Sequence, residues 1–315
     1  MPAHTLPTVS LFKAASTVSL LTLASRITGL VRDLLMASMF GANALTDAFN
    51  VAFRIPNLFR RLFAEGAFSQ AFVPVLAASK AKEGDEATRT LISHVATLLF
   101  WVLLVTCVLG VVGAPLLVWL LASGLRQSPE GYDAAVLMTR WMFPYIGFMS
   151  LVALSAGVLN TWRRFAVSAA TPVLLNLAMI AAAFWGAPWL QARGIEPIYA
   201  MAGGVMLGGV LQLAVQLPAL ARLGLLPRIG FSPAALREAW AEAGVRRILK
   251  LMAPALLGVG VAQVSLMINT QIASYLQPGS VTWLFYADRL MEFPTALLGV
   301  CLLYTSPSPR DVEES

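Results

Sequence analysis

The residues most able to do chemistry in this chain are arginines and carboxylates inside long apolar stretches. The arginines outnumber the acids by seven to five: Arg26, Arg32, Arg54, Arg60, Arg61, Arg140 and Arg289, against Asp33, Asp47, Glu65, Asp288 and Glu292. A charge at the centre of a bilayer costs about 2.5–3.5 kcal/mol on insertion scales, so such residues must face a protein interior or a wet cavity. Arginine also binds phosphate in a bidentate manner and keeps its charge. The set therefore predicts an anionic, phosphorylated ligand.

Helical spacing indicates which of these side chains share a face. Arg26 and Asp33 are seven residues apart and lie on one face, whereas Arg32 points about 120° away from Arg26 in a straight helix. Gly29 lies between them and allows a bend toward one cavity. Further on, Arg54, Arg61 and Glu65 form one stripe, and Arg60 is rotated from it by about 100°.

Simpler interpretations remain open for single residues. Arg61 with Glu65 and Arg289 with Glu292 have the spacing of ion pairs within one helix. Other arginines, Arg60 and Arg140, have the length to extend to a membrane interface.

The elements that position these charges are predicted from composition. Hydrophobic residues make up 58% of the 315 residues and charged residues 12%, and the mean hydropathy is +0.75. A soluble domain has about twice this share of charge, so the composition indicates an integral membrane protein. Eight candidate spans predict an all-α, polytopic transmembrane bundle: Leu11–Phe40, Thr46–Ala77, Leu91–Leu121, Ala134–Thr161, Ala166–Trp185, Ile198–Leu220, Leu249–Leu276 and Val281–Leu303.

Basic residues in the connections predict the orientation. With the N-terminus in the cytoplasm, twelve Lys and Arg residues fall in cytoplasmic connections and two, Arg126 and Arg193, fall outside. Ser232 and Pro233 begin a predicted short interfacial helix. The net charge of +6 fits this membrane topology, and no nucleic-acid-binding signature accompanies it.

Motifs for other chemistry are missing from the sequence. There is no phosphate-loop motif for an ATPase and no HExxH pair, and Cys107, Cys301, His4 and His94 form no metal-ligand set. A membrane enzyme acting on polyprenyl phosphate would need a metal-binding acidic pair or a general base, and no convincing set is present. We therefore expect no cofactor, no metal and no catalytic residue.

Weaker patterns concern helix packing. Gly204 and Gly208 predict a close helix contact, and Asn160 and Asn176 predict hydrogen bonds between helices. Ala52-Phe53-Arg54 is similar to Ala287-Asp288-Arg289, and each is followed closely by a proline. Two related halves of a transporter would explain this similarity, and chance would explain it equally well.

Four runs of sequence resemble a known family, the MurJ/MviN lipid II flippases. They are Ser25-Arg26-Ile27-Thr28-Gly29-Leu30-Val31-Arg32-Asp33, Thr46-Asp47-Ala48-Phe49, the run 56–74 (PNLFRRLFAEGAFSQAFVP), and the run 286–294 (YADRLMEFP). The resemblance covers roughly residues 11 to 301, and the run 56–74 is the most specific part.

The resemblance implies both a fold and a function. It implies a transporter with two six-helix lobes around a cationic cavity, which moves the undecaprenyl-diphosphate-linked peptidoglycan precursor (lipid II) across the bacterial inner membrane by alternating access. Its partners would be lipid II and membrane lipids, with ion gradients or membrane potential as the driving force instead of ATP. Substrate-binding arginines of the family fall on Arg26, Arg32, Arg60 and Arg289. Asp47 and Glu65 also match positions that are important in the family. From the set of charges inside the predicted spans, we assign cavity or coupling roles to Asp33, Asp47, Arg54, Arg61, Glu65, Asp288 and Glu292.

The resemblance also predicts the domain organisation. Residues 1–10 form a tail, 11–225 a complete six-helix lobe, 226–303 the interfacial helix with the first two helices of a second lobe, and 304–315 a non-native tail. Two alternatives stay open, a sister flippase for polysaccharide units and a non-functional truncated fragment of the transporter.

Overall fold

The structure, a computed structural model, describes residues 11–59 and 67–291, and these residues form helices and turns without a strand. Helix α1 spans Leu11–Phe40 and matches the first predicted span. The predicted span Thr46–Ala77 corresponds to α2 (Ala44–Phe59) and α3 (Phe68–Lys82) on either side of the undescribed residues. Arg60, Arg61, Glu65 and Glu292 lie outside the described residues, as do the predicted tails 1–10 and 304–315.

The other helices follow the predicted spans, with breaks inside several of them. These are α4 (Gly84–Val112), α5 (Ala114–Ala122), α6 (Pro129–Met142), α7 (Tyr145–Thr161), α8 (Phe165–Ala181), α9 (Ala187–Gln191), α10 (Tyr199–Arg222), α11 (Pro233–Ala241), α12 (Ala243–Ser274) and α13 (residues 280–291). A 3₁₀ turn, Ser123–Gln127, follows α5, and a π-helical turn, Ala182–Gly186, joins α8 to α9.

The predicted polytopic, all-helical bundle is confirmed. By length and composition alone, four described segments are able to cross a membrane: Gly84–Val112, Pro129–Thr161, Phe165–Gln191 and Tyr199–Arg222. The two halves of α12, which meet at a bend of 46°, make a fifth if they count as one span. Helix α1 is long enough to cross, but Lys13, Arg26, Arg32 and Asp33 lower its average hydropathy.

Two glycines let α10 pack closely on α8, as the sequence predicts. A Cβ atom on Gly204 would lie 2.7 Å from the Cβ atom of Ala182, and one on Gly208 would lie 2.7 Å from Cδ1 of Leu175. Only a residue without a side chain fits at this distance. The contact holds α8 in position beside α1, where the charged residues lie.

The connection between α10 and α12 lies along α4. The Trp101 indole donates to the Gly230 carbonyl at 3.0 Å, and the Gly230 amide donates to Oγ1 of Thr97 at 3.0 Å. Ser232 begins α11 by accepting from the Ala235 amide at 3.1 Å, which confirms the predicted helix start. Ala239 is fully buried and Trp240 is 55% exposed, so α11 has one packed face and one free face.

Candidate ligand cavity

A cavity of about 740 Å³ lies between the helices that carry the charged residues. Its wall is formed by α1, α2, α7, α8, α10 and α13, with Ser69 of α3. The charged residues among its described lining are Arg26, Arg32, Asp33 and Arg289. Three arginines and one aspartate leave two net positive charges, in a volume typical of a small-ligand site.

One carboxylate contacts two of these arginines. Oδ1 of Asp33 accepts hydrogen bonds from Nε and NH2 of Arg32 at 2.9 and 2.6 Å. Its other oxygen, Oδ2, lies 3.4 Å from Nε of Arg289 on α13. Because Asp33 is on α1, this acid connects the first helix of the chain to the last described one.

Asn176 on α8 is a further hydrogen-bond partner of Arg32. Its Oδ1 accepts from NH1 of Arg32 at 2.9 Å, while its Nδ2 donates to the Ser25 carbonyl at 3.0 Å and to Oγ1 of Thr28 at 3.1 Å. Arg32 is only 3% exposed and Arg26 is exposed. The predicted hydrogen bond between helices is therefore confirmed for Asn176, and it fixes a buried arginine at the cavity wall.

A second part of the wall is polar and uncharged. Gln212 on α10 donates to the Thr171 carbonyl at 3.0 Å and accepts from the Tyr145 hydroxyl at 3.5 Å. Gln216, one turn further along α10, donates to Oγ1 of Thr171 at 3.1 Å. We call Ser168, Thr171, Gln212 and Gln216 the neutral wall, and all four line the cavity.

Three residues predicted for the cavity are not among its lining. Arg54 donates to Oγ1 of Thr270 on α12, and its NH2 lies 3.7 Å from Oδ2 of Asp288 on α13. These contacts place Arg54 and Asp288 at the interface between α2 and the last two helices. Asp47 on α2 also lies outside the lining, and its carboxylate contacts the start of α13.

Asp47 caps the first turn of α13. Its carboxylate accepts from the amides of Gly279 at 2.6 Å and Thr282 at 2.8 Å, and from the Thr282 hydroxyl at 2.7 Å. A carboxylate at a helix N-terminus satisfies amides that have no partner inside the helix. Asn50, one turn later on α2, donates to Oγ1 of Thr282 at 3.0 Å.

These contacts belong to a tightly packed end of the bundle, which we call the distal end: residues 41–43, 123–128 and 275–279. A Cβ atom on Gly124 would lie 2.2 Å from the Ser274 carbonyl oxygen. One on Gly279, whose φ of +97° also favours glycine, would lie 2.9 Å from the Ala42 carbonyl oxygen. The Ser123 amide donates to Oε1 of Gln271 at 2.9 Å. The turn between α12 and α13 is thus bonded to α2 and to the 3₁₀ turn.

Comparison with known proteins identifies the family. The family model described as lipid II flippase MurJ matches residues 36–305. The chain is 54% identical over 294 residues to a lipid II flippase MurJ from Burkholderia cenocepacia. The chain belongs to the lipid II flippase MurJ family.

Further relatives agree. A probable lipid II flippase MurJ from Haemophilus influenzae is 43% identical over 289 residues, covering 90% of this chain and 54% of that protein. The Burkholderia match covers 93% of this chain and 56% of the relative. This chain therefore spans about half the length of the curated relatives it matches.

A solved structure supports the MurJ fold. The chain superposes on a lipid II flippase MurJ in an inward closed conformation with a TM-score of 0.72 and 26% sequence identity. The superposition covers 89% of this chain and 55% of that one. Membership of a membrane flippase family and the apolar helices together establish a multi-pass membrane protein.

Sequence reasoning did not single out the neutral wall. Gln212 and Gln216 are polar residues four apart in an apolar helix, which is the one signal that could have found them. Thr171 precedes Pro172, and a proline inside a helix marks a backbone carbonyl without its usual donor.

Proposed function

We propose that this chain acts in moving lipid II, a disaccharide-peptide linked through a diphosphate to a polyprenyl lipid, across the bacterial inner membrane. The observation that carries the proposal is that Arg26, Arg32 and Arg289, which are far apart in sequence, line one cavity. The family and its named relatives support the choice of substrate.

Charge matching supports a diphosphate as the bound group. The cavity has two net positive charges among its described lining, and a diphosphate diester carries two negative ones. Arginine recognises phosphate oxygens through paired N–H donors, which gives geometric specificity as well as attraction. We assign Arg26, Arg32 and Arg289 to this role, and Arg60 belongs to the same proposal on the basis of the sequence alone.

Asp33 gives the site a way to bind and release. In this structure its two oxygens hold Arg32 and Arg289. A diphosphate entering the cavity would compete for the same N–H groups, and Asp33 would take them back when the lipid leaves. The sugar-peptide head would occupy the cavity, and the polyprenyl tail would stay in the lipid.

Alternating access would require the distal end to open and close. Asp47, Arg54 and Asp288 connect α2 to the last two helices near that end, so we place them in coupling of the two lobes instead of in direct substrate contact. The same proposal places the boundary between the two lobes at residue 225. It also has an ion gradient or the membrane potential drive lipid transport. The chain would carry out no covalent chemistry.

The twelve-to-two bias of basic residues supports an N-terminus in the cytoplasm. Gln127 and Glu83 are both exposed and lie near opposite predicted sides. In spheroplasts, a cysteine replacing Gln127 should react with a membrane-impermeant thiol reagent. A cysteine replacing Glu83 should react only after the spheroplasts are lysed. The opposite pattern would overturn the orientation.

The direct test of function is transport by the purified chain in liposomes that contain fluorescent lipid II. Where the unsubstituted chain exposes the label to an external quencher, the double variant Arg32→Ala, Arg289→Ala should leave it protected, and no exposure with the unsubstituted chain would favour the truncated, non-functional fragment. Equal exposure with both proteins, or transport of a lipid-linked polysaccharide unit in preference to lipid II, would contradict the assignment.

A further inference from the structure

Two buried oxygen atoms in the neutral wall have no hydrogen-bond partner among the residues that the structure describes. They are Oε1 of Gln216 and Oγ of Ser168, and both residues line the cavity. Gln216 is completely buried. Leaving a buried polar atom without a partner costs about 1–3 kcal/mol, so the position of these two atoms requires an explanation.

The orientation of the Gln216 amide is set by its neighbour. Thr171 already uses its hydroxyl hydrogen on the Val167 carbonyl at 3.0 Å, so its Oγ1 accepts from Nε2 of Gln216 at 3.1 Å. This contact directs Oε1 away from Thr171. A third acceptor lies nearby, because Pro172 has no N–H to give to the carbonyl of Ser168.

The position of these acceptors fits a group attached to the diphosphate. Ser168 and Thr171 precede Asn176, the partner of Arg32, by eight and five residues on α8. At 1.5 Å per residue this is about 12 Å and about 7–8 Å along the helix axis. A sugar linked to a diphosphate at the arginines is able to reach this distance.

We infer that Gln216 and Ser168 form a subsite for a neutral hydrogen-bond donor, the hydroxyl or amide N–H groups of the sugar next to the diphosphate. This inference rests on the proposed function. Both residues border the cavity, so a hydroxyl or amide N–H group of a ligand there would supply the partner that each oxygen lacks among the described residues. A bound metal cation is disfavoured because three of the four charged residues in the described lining are arginines.

The test compares two lipids. The affinity of the protein in nanodiscs is measured for a polyprenyl diphosphate without sugar and for the lipid-linked disaccharide-peptide, using the unsubstituted chain, Gln216→Met and Ser168→Ala. Each variant should bind the sugar-bearing lipid about two- to tenfold more weakly, the effect of one net hydrogen bond. Affinity for the sugar-free lipid should stay within a factor of two.

A matched control is Ser150→Ala. Ser150 is also buried, and its hydroxyl has no partner within the described parts of the chain, but it lines a separate small cavity of about 40 Å³. It should bind both lipids as the unsubstituted chain does. Ser168→Ala removes a single oxygen atom, so it decides the case if Gln216→Met does not fold.

The subsite would be overturned if Ser168→Ala weakened binding of both lipids equally, or of neither. It would also be overturned if the weakening appeared in sodium buffer but not in choline buffer, because the acceptors would then serve a bound sodium ion instead of the sugar. Failure of the unsubstituted chain to bind either lipid would instead reject the proposed function, and the subsite with it.

Discussion

Asp33 is the residue on which the charge balance of the cavity depends. Its two oxygens contact Arg32 and Arg289, and Asn176 accepts from the remaining NH1 of Arg32. The described hydrogen bonds of the Arg32 guanidinium are thus all to neighbours on α1 or α8. Such a setting costs little reorganisation when a phosphate replaces the carboxylate, which is what a preorganised site requires.

The first prediction concerns the geometry of the arginines. Arg32→Lys and Arg289→Lys keep the charge but lose the planar fork of donors. Since hydrogen bonds to charged groups contribute about 1.5–3 kcal/mol, each variant should bind polyprenyl diphosphate about ten- to a hundredfold more weakly. Isothermal titration in nanodiscs measures this. Arg237→Lys, on the exposed face of α11, is the control and should change nothing. Unchanged affinity in both cavity variants would contradict the arginine assignment.

The second prediction concerns Asn176. Asn176→Leu is similar in size but removes the acceptor of NH1 of Arg32 and the amide donor to the Ser25 carbonyl. NH1 then keeps only the weak contact with the Met179 sulfur at 3.8 Å, and the carbonyl keeps only the Thr28 hydroxyl at 3.2 Å among the described side chains. The loss should reduce the free energy of unfolding by about 1–3 kcal/mol, because both groups are buried or half-buried. Thermal unfolding in detergent reports the change. In the double variant with Arg32→Met the cost of the Leu substitution should fall, and strict additivity would contradict a direct coupling.

At the scale of helices, the contact between α8 and α10 keeps the two parts of the cavity wall together. Helix α8 carries Asn176 and Thr171, and α10 carries the glutamines that bond to Thr171. Gly204 and Gly208 allow the two backbones to approach. A disturbance of this packing should therefore affect both stability and ligand binding.

The third prediction uses neighbouring glycines on α10. Gly204→Ala places a Cβ atom 2.7 Å from the Ala182 Cβ and 3.2 Å from the Met179 Cα, whereas Gly203→Ala meets nothing within 4 Å. Overpacking of this kind costs about 1–3 kcal/mol. Gly204→Ala should unfold at a lower temperature than the unsubstituted chain in detergent. Gly203→Ala should unfold at the same temperature or a higher one, and the reverse order would refute the packing argument.

Sequence periodicity predicted the helices well where one helix makes one span. The bounds of α1 and the existence of α10 followed from apolar length, and the Ser232 cap followed from residue type. The break of the predicted span Leu91–Leu121 into α4 and α5 did not follow, although Gly113 and Pro115 stand at that point. The length of an apolar run indicates that the segment is buried in lipid, but it does not show where the helix breaks within that segment.

The site was predictable in its charges and unpredictable in its pairings. Arg26 and Arg32 point about 120° apart in a straight helix, and Gly29 allows a bend toward one cavity; both arginines line the cavity. Arg54 was expected in a stripe on its own helix, and its described partners include Thr270 and the Leu266 carbonyl on α12 and Asp288 on α13. Such partners are set by how helices distant in sequence pack, which spacing along one helix does not encode.

At the scale of the whole molecule, α2 joins the first part of the bundle to the last two helices through side-chain contacts, alongside the packing of α12 on α3 and α5 and the contact of Asp33 on α1 with Arg289. Asp47, Asn50 and Arg54 lie on it at successive turns, and each contacts α12 or α13. The similar triplets at residues 52–54 and 287–289 also meet here, since Arg54 pairs with Asp288. Breaking these contacts together is the motion that would open the distal end.

The last prediction tests that motion. The side chains of Asn50 and Thr282 meet across α2 and α13, so Asn50→Cys with Thr282→Cys should be joined by a short bis-methanethiosulfonate cross-linker, which forms one disulfide with each cysteine and releases sulfinate. If transport needs the distal end to open, the cross-linked protein in liposomes should lose lipid II transport but still bind the lipid, because the cavity lies elsewhere along α13. A reagent with a cleavable link should restore transport on cleavage. The single-cysteine variants, treated in the same way, control for reaction at the free Cys107. Full transport by the cross-linked protein would show that these helices stay together throughout the cycle, and the distal end would then have no part in access.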